Sequence, residues 1–203
     1  MRVFPLFVLI AVFVSIYPLP AAAQAAAAAQ VEVASVKFGA ARFGGDSWLE
    51  ADVELDVKPG GKPVSGEFVN RVRVTLTMGC DAVDLKGVKR LDFYRSSAEL
   101  ISVEGGKTNV RFYLPPEIVK RDKLKTPIDY FAVELEAAGE AQAAVKESAS
   151  PKFTSAESTK NFLGKATSEA GVNDGMLMPQ YLTPFSFDAQ RRSPTFLRRE
   201  LQR

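Results

Sequence analysis

No histidine occurs among the 203 residues, and there is a single cysteine, Cys80. Without histidine there is no Ser-His-Asp or Cys-His catalytic pair, no His-ligated zinc and no His-ligated haem. One thiol can complete neither a metal-binding thiolate cluster nor an internal disulfide, so the fold has to rest on an apolar core. Long apolar runs are missing after the first 25 residues, where nothing approaches the roughly 20 residues of a membrane-spanning helix. A strong charge of one sign is missing too: 26 Lys and Arg stand against 24 Asp and Glu. The imbalance is local. The last thirteen residues, RRSPTFLRRELQR, hold five arginines and one glutamate, which leaves the rest an ordinary mixed surface.

Residues 1–25 have a charged start at Arg2, an apolar run FPLFVLIAVFVSIY, and the small-residue exit PLPAAAQA. That pattern predicts a secretory signal peptide, cleaved after Ala23 or Ala25. The expected product is exported and soluble, in the periplasm or at the cell surface against the outer membrane. An Ala-rich, disordered linker is expected over 26–30.

From Val31 onward short alternating segments are punctuated by Gly and Pro, the pattern of strands and turns. Strands are predicted over 31–40, 48–58, 69–80, 88–94, 98–103, 108–114 and 128–137, with a weak one over 141–148. KPGGKPVSG (58–66) reads as a loop. Pro116 followed by Glu117 predicts a short helix over 116–123, which makes KRDKLK (120–125) its wet side and not a nucleic-acid patch. Seven or eight strands within 31–150 predict an antiparallel β-sandwich, immunoglobulin-like or fibronectin-III-like. Past Pro151, Thr154 with Glu157 reads as a capping box and Gly171 as a C-terminal cap. Between them Phe162, Leu163, Ala166 and Ala170 form a helical stripe. Residues 151–203 are thus a helix followed by an apolar and basic tail.

Chemistry-bearing residues are sparse. Glu50, Asp52, Glu54 and Asp56 alternate along one strand, about 6.7 Å apart, a spacing used by glycosidase acid/base pairs. A wet strand face explains them equally, because catalysis needs one carboxyl buried and raised in pKa. Asp81 with Asp84, or Asn173 with Asp174, offers oxygen ligands, but no calcium-loop motif surrounds either pair, and turn chemistry accounts for NDG. Cys80 shares the parity of Val72, Val74, Leu76 and Met78 and should point inward as a small hydrophobe. Trp48 is read as a rim residue, or as part of a sugar-stacking edge if further aromatics join it. No cofactor and no metal is implied.

The tail is the segment in need of a purpose. Met176, Leu177, Met178, Tyr181, Leu182, Phe185 and Phe187 are too apolar to be left in water, and Pro179 and Pro184 point to an extended conformation. Either they cover the chain's own sandwich, or they dock a partner or sister subunit. Arg191, Arg192, Arg198 and Arg199 could add contact with an anionic surface.

With its tail NFLGKATSEAGVNDGMLMPQYLTPF (161–185), the chain resembles small exported Ig-like proteins that verrucomicrobia such as Akkermansia encode beside type IV pilus genes. The resemblance spans about 31–190. It implies a non-enzymatic structural role at the envelope or pilus, with a homo-oligomer as one form and no cofactor; the expected partners are proteins of the envelope, not nucleic acid. In place of the uncleaved apolar helix of a pilin there is an Ala-rich processing site, which argues for an accessory protein. The alternative is a carbohydrate- or ligand-binding sandwich built on the Trp48 edge.

Overall fold

From Leu49 to Val57 every second residue is apolar, and in the computed structural model this stretch lies in strand β2 (Asp46–Lys58), with Leu49, Ala51, Val53, Leu55 and Val57 all buried. The structure describes residues 30–60, 68–83 and 87–197. The signal segment 1–25, residues 26–29 of the linker, most of the 58–66 loop, Asp84, Arg198 and Arg199 lie outside the described residues. The other strands are β1 (Gln30–Phe43), β3 (Phe68–Val83), β4 (Lys89–Glu104), β5 (Gly106–Leu114), β6 (Tyr130–Ala137), β7 (Glu140–Ala141) and β8 (Met178–Pro179). Among the described residues two helices, α1 (Pro116–Arg121) and α2 (Ala156–Glu169), complete the regular structure together with short 3-10 turns.

The strands form two antiparallel sheets, ordered β1-β2-β5-β8 and β4-β3-β6-β7. Setting β8 aside, this is the three-against-four arrangement of a fibronectin-III-like sandwich. The core lies between the sheets: Val53, Leu55 and Val110 on one side face Val74, Leu76, Met78 and Leu100 on the other, all fully buried. Cys80 points into this layer, as its parity requires.

The structure corrects five local expectations. The separate strands expected at 88–94 and 98–103 are one, β4. Phe93 and Tyr94 are adjacent and both buried, because Tyr94 enters the core while Phe93 packs under α2. The weak strand at 141–148 is reduced to the two residues of β7. There the chain bows away from β6, held at the ends by Gln142 N donating to Leu135 O (2.8 Å) and Ser150 N to Phe131 O (2.9 Å). The capping box of α2 uses Ser155 and Ser158 in place of Thr154 and Glu157: each side chain bonds the other's backbone N–H, at 3.1 and 3.2 Å. The helix then passes through a 3-10 turn over Ala170–Asn173, so Gly171 is not its cap. Finally, the segment after Gly175 is extended only in part, being interrupted by 3-10 turns over Gln180–Leu182 and Pro184–Phe187.

Candidate functional site

Residues 176–197 form a strap along one side of the sandwich. Leu177 enters the core between the sheets and is 2 % exposed. Met178 and Pro179 then pair with Tyr113 and Phe112 at the edge of β5. Two 3-10 turns follow, Gln180–Leu182 and Pro184–Phe187, where an extended chain was expected. Proline explains the difference, because Pro184 has its φ fixed at a value suited to a first helical position. Thr183 supports the turn by accepting from Phe185 N (3.3 Å) and donating to Gln180 O (2.8 Å). Farther on, the strap crosses to the other sheet. Ile101 N donates to Thr195 O (3.0 Å) and Leu197 N to Glu99 O (2.7 Å), with Phe196 bridged to Leu100.

Phe185 is the anchor over the outer face of the first sheet. Its ring stacks on Tyr113, with centroids 4.4 Å apart and planes at 14°, and meets Trp48 (5.7 Å) and Phe43 (5.9 Å) edge-on. Arg191 covers the ring from 5.2 Å. The same guanidinium donates from Nε to Glu50 (2.8 Å) and pairs with Asp188. Glu50 also accepts from the Tyr113 hydroxyl at 2.8 Å. Burial, followed by this bond, pushes the Tyr113 phenol well above its ordinary range. Hydrogen bonds from Gln190 N and Arg191 hold the Asp188 carboxyl below the usual range.

The other tail residues divide between inner and outer sides. Met176 is half-buried, and its sulfur accepts from Arg121 at 3.4 Å. Tyr181 packs its ring on Phe196, with centroids 5.0 Å apart. Leu182 and Phe187 point outward, 61 % and 92 % exposed. Arg192 is exposed, though its carbonyl accepts from Arg111 (2.9 Å). Gln180 went unnoticed in the sequence, where it is one polar residue among many. It is 2 % exposed and donates to the carbonyls of Phe185 (3.0 Å) and Arg191 (2.7 Å), tying the two halves of the strap together.

The acidic strand is less bare than its pattern suggests. Glu50 lies under the strap, Asp52 pairs with Arg111 (3.2 Å), Glu54 with Lys107 (2.8 Å) and Asp56 with Lys58 (3.7 Å). Lys107 holds Glu54 below the ordinary carboxylate range, the opposite of what a general acid requires. Trp48 does have further aromatics beside it, but Phe185 of the same chain fills the place against its ring. Burial, reinforced by Asp92, Asp122 and Asp81, raises the Cys80 thiol to about 12, which leaves it unreactive at neutral pH. Asn173 is committed to the Phe93 carbonyl at 3.1 Å, and among the described residues no cluster of three or more metal-ligating side chains occurs.

On the outer face of the second sheet a groove of about 830 Å³ runs between α2 and the strap. Its floor is charge-compensated: Arg73 reaches Glu99 (3.4 Å) and Glu136 (3.0 Å), and Arg95 reaches Glu134 (3.0 Å). Tyr181, Leu182 and Leu197 form its apolar wall.

No family model matches the chain, and no curated protein matches it. Among solved structures, a crystal structure of a protein from Akkermansia muciniphila is similar, with a TM-score of 0.60 at 14% identity. The match covers 84% of this chain and 94% of that one. The likeness is one of fold. Residues 1–150 make up less than three quarters of the 203, so it reaches into the C-terminal segment as well as the sandwich. Among the described residues no helix is long and apolar enough to cross a membrane.

Proposed function

We propose that the chain is a non-enzymatic, exported structural or interaction protein, an accessory of an envelope or type IV pilus assembly. It docks protein partners through the strap and the adjoining sandwich edge. One observation carries this reading. The strap is anchored by Leu177 and Phe185, yet presents Phe187 and Leu182 to solvent on a rigid scaffold. An aromatic held outward beside fixed turns loses little conformational entropy on docking, which makes it a good contact residue. The signal-like first 25 residues support the exported setting. The sugar-binding alternative has less to stand on, because its aromatic edge is already filled by Phe185.

The test is site-specific photo-crosslinking from position 187, with a photoreactive phenylalanine in place of Phe187, in cells fractionated afterwards. A crosslinked adduct in the envelope fraction, lost when the probe is placed at the exposed site Val88, is the expected result. Retention of the protein in the cytoplasm, or no adduct specific to position 187, would overturn the reading.

A further inference from the structure

We infer that the free edge of β1 takes an extended, acidic segment of a partner protein as an added strand of the first sheet. This rests on the reading that the chain docks protein partners, and names the kind of segment its sandwich edge receives.

A border strand presents a row of unpaired N–H and C=O groups, which proteins ordinarily cover or keep short. Here the sheets end in β1 and β8, and in β4 and β7. Strands β7 and β8 have two residues each, too short to template a ladder. The border of β4 is met by Asn173 Nδ2 at the Phe93 carbonyl (3.1 Å) and by the strap at Glu99 and Ile101. β1 is the exception, at 14 residues. Its beginning is held where Val31 N donates to Gln142 Oε1 (3.1 Å), and the 3-10 turn Lys146–Ser148 packs against the strand. Its later part has no such partner.

The turn shows which groups face outward. Gly44 and Gly45, both at positive φ, form a two-residue hairpin loop that makes Phe43 and Asp46 a hydrogen-bonded pair. Alternation back from Phe43 turns the N–H and C=O groups of Val36, Phe38, Ala40 and Arg42 away from β2. Among the described residues no hydrogen bond from outside the sheet reaches these four. A row at strand spacing is met in full by another extended backbone. Gly39 stands in its middle, with nothing within 4 Å of where a side chain would be, the kind of opening that a second backbone uses.

Charge selects the occupant. From Val33 to Phe43 the strand carries Lys37 and Arg42, both exposed, and no carboxylate. The carboxylates beside Lys37 on β2 are engaged elsewhere, Asp52 by Arg111 (3.2 Å) and Glu54 by Lys107 (2.8 Å). A second copy paired edge to edge would bring Lys37 and Arg42 of both strands into one seam without an acid from either, and like charges across a ladder repel. A strand with two carboxylates five positions apart, the separation of Lys37 and Arg42, meets both cations. The odd spacing sends the two acids to opposite faces, as it does the two cations.

The test uses the full chain and an array of synthetic strand-length peptides. Valine, isoleucine and threonine vary at all positions but two, five apart, which hold glutamate in one set and lysine in the other. The best acidic peptides should bind about tenfold more tightly than their lysine twins, and K37E/R42E should reverse the ranking. Bound acidic peptide should slow hydrogen exchange, read by NMR, at the amides of Phe38, Ala40 and Arg42. The amides of Lys37, Gly39 and Ala41, already bonded to β2, should not change. Ala40→Pro removes an outward N–H and leaves the β2 ladder whole, so it should weaken binding with the circular dichroism spectrum kept. Equal binding of both peptide sets, no binding by either, or slowed exchange that spares these three amides overturns the proposal. Protection of the same amides by raising the concentration of the protein alone would make the occupant a second copy, and overturns it too. None of these outcomes alters an adduct from position 187, so the strap reading is decided separately.

Discussion

Phe162 of α2 rests directly on Gly79 of β3: a methyl group at position 79 would lie 2.8 Å from the edge of the ring. The ring has no easy retreat, since Phe93 (5.5 Å) and Phe153 (5.0 Å) hold it by centroid contacts and it is itself buried. Gly79→Ala should therefore lift α2 from the sheet and cost about 1–3 kcal/mol. Gly39→Ala, in the open on β1, should be neutral or slightly stabilising. Urea unfolding of the two variants against the parent checks the contrast.

The strap gives a second contrast. Phe185→Ala removes a ring 1 % exposed, stacked on Tyr113 and clasped by Arg191, and should cost about 3–5 kcal/mol. Phe187→Ala, two residues on and 92 % exposed, should stay within about 0.5 kcal/mol. Trp48 is the one tryptophan and touches Phe185, so its emission reports the strap directly. It should shift to the red and quench more readily in Phe185→Ala, and be unchanged in Phe187→Ala. Equal effects from both variants would show that Phe185 is not the anchor.

The strand alternation of β2 and the inward parity of Cys80 could be read directly from the sequence, because a two-residue period maps one-to-one onto the two faces of a sheet. The sandwich followed from counting such segments. Where both faces of a strand are covered the rule fails, as at Phe93 and Tyr94: α2 supplies a second apolar surface that periodicity does not reveal. The strap was flagged by its apolar residues, but its path was not legible. That path depends on contacts between residues far apart in the chain, such as Glu50 with Arg191 and Gln180 with the carbonyl of Arg191. Nothing in the local sequence of Glu50 separates it from Asp52 or Glu54. Both the sugar-edge and the glycosidase readings treated the outer face of β2 as open, and at Trp48 and Glu50 the chain itself covers it.

Helix α2 depends on its first turn. Ser155 accepts from Ser158 N at 3.1 Å while Ser158 Oγ accepts from Ser155 N at 3.2 Å, so two otherwise unpaired donors are satisfied reciprocally. Ser155→Ala should cost about 0.5–2 kcal/mol. Thr154→Ala, adjacent but outside the cap, should cost little. The expected structural consequence is faster hydrogen exchange at the amides of 158–162, measurable by mass spectrometry, with exchange in the strands unchanged.

Stability should decline at both ends of the pH scale, for different residues. At the acid end, Asp122 is held below the usual range by Arg121, Asp188 by the bonds from Gln190 and Arg191, and Glu54 by Lys107. A carboxyl depressed in the folded state contributes stability above its unfolded value, about 4, and loses it as pH falls through the folded value. At the alkaline end, burial raises Tyr113, Tyr94 and Cys80, the last to about 12. A group raised on folding contributes fully below its unfolded value, about 8.5 for a thiol and 10 for a phenol, and loses that contribution as pH rises through the folded value. Urea midpoints should therefore form a plateau between about pH 5 and 8 and fall on either side. Tyr113→Phe removes one of the raised phenols and leaves Glu50 with Arg191 alone. It should lower the plateau yet soften the alkaline decline. A decline as steep as the parent's would mean that the Tyr113 hydroxyl does not titrate with unfolding, and that Tyr94 and Cys80 account for the alkaline limb.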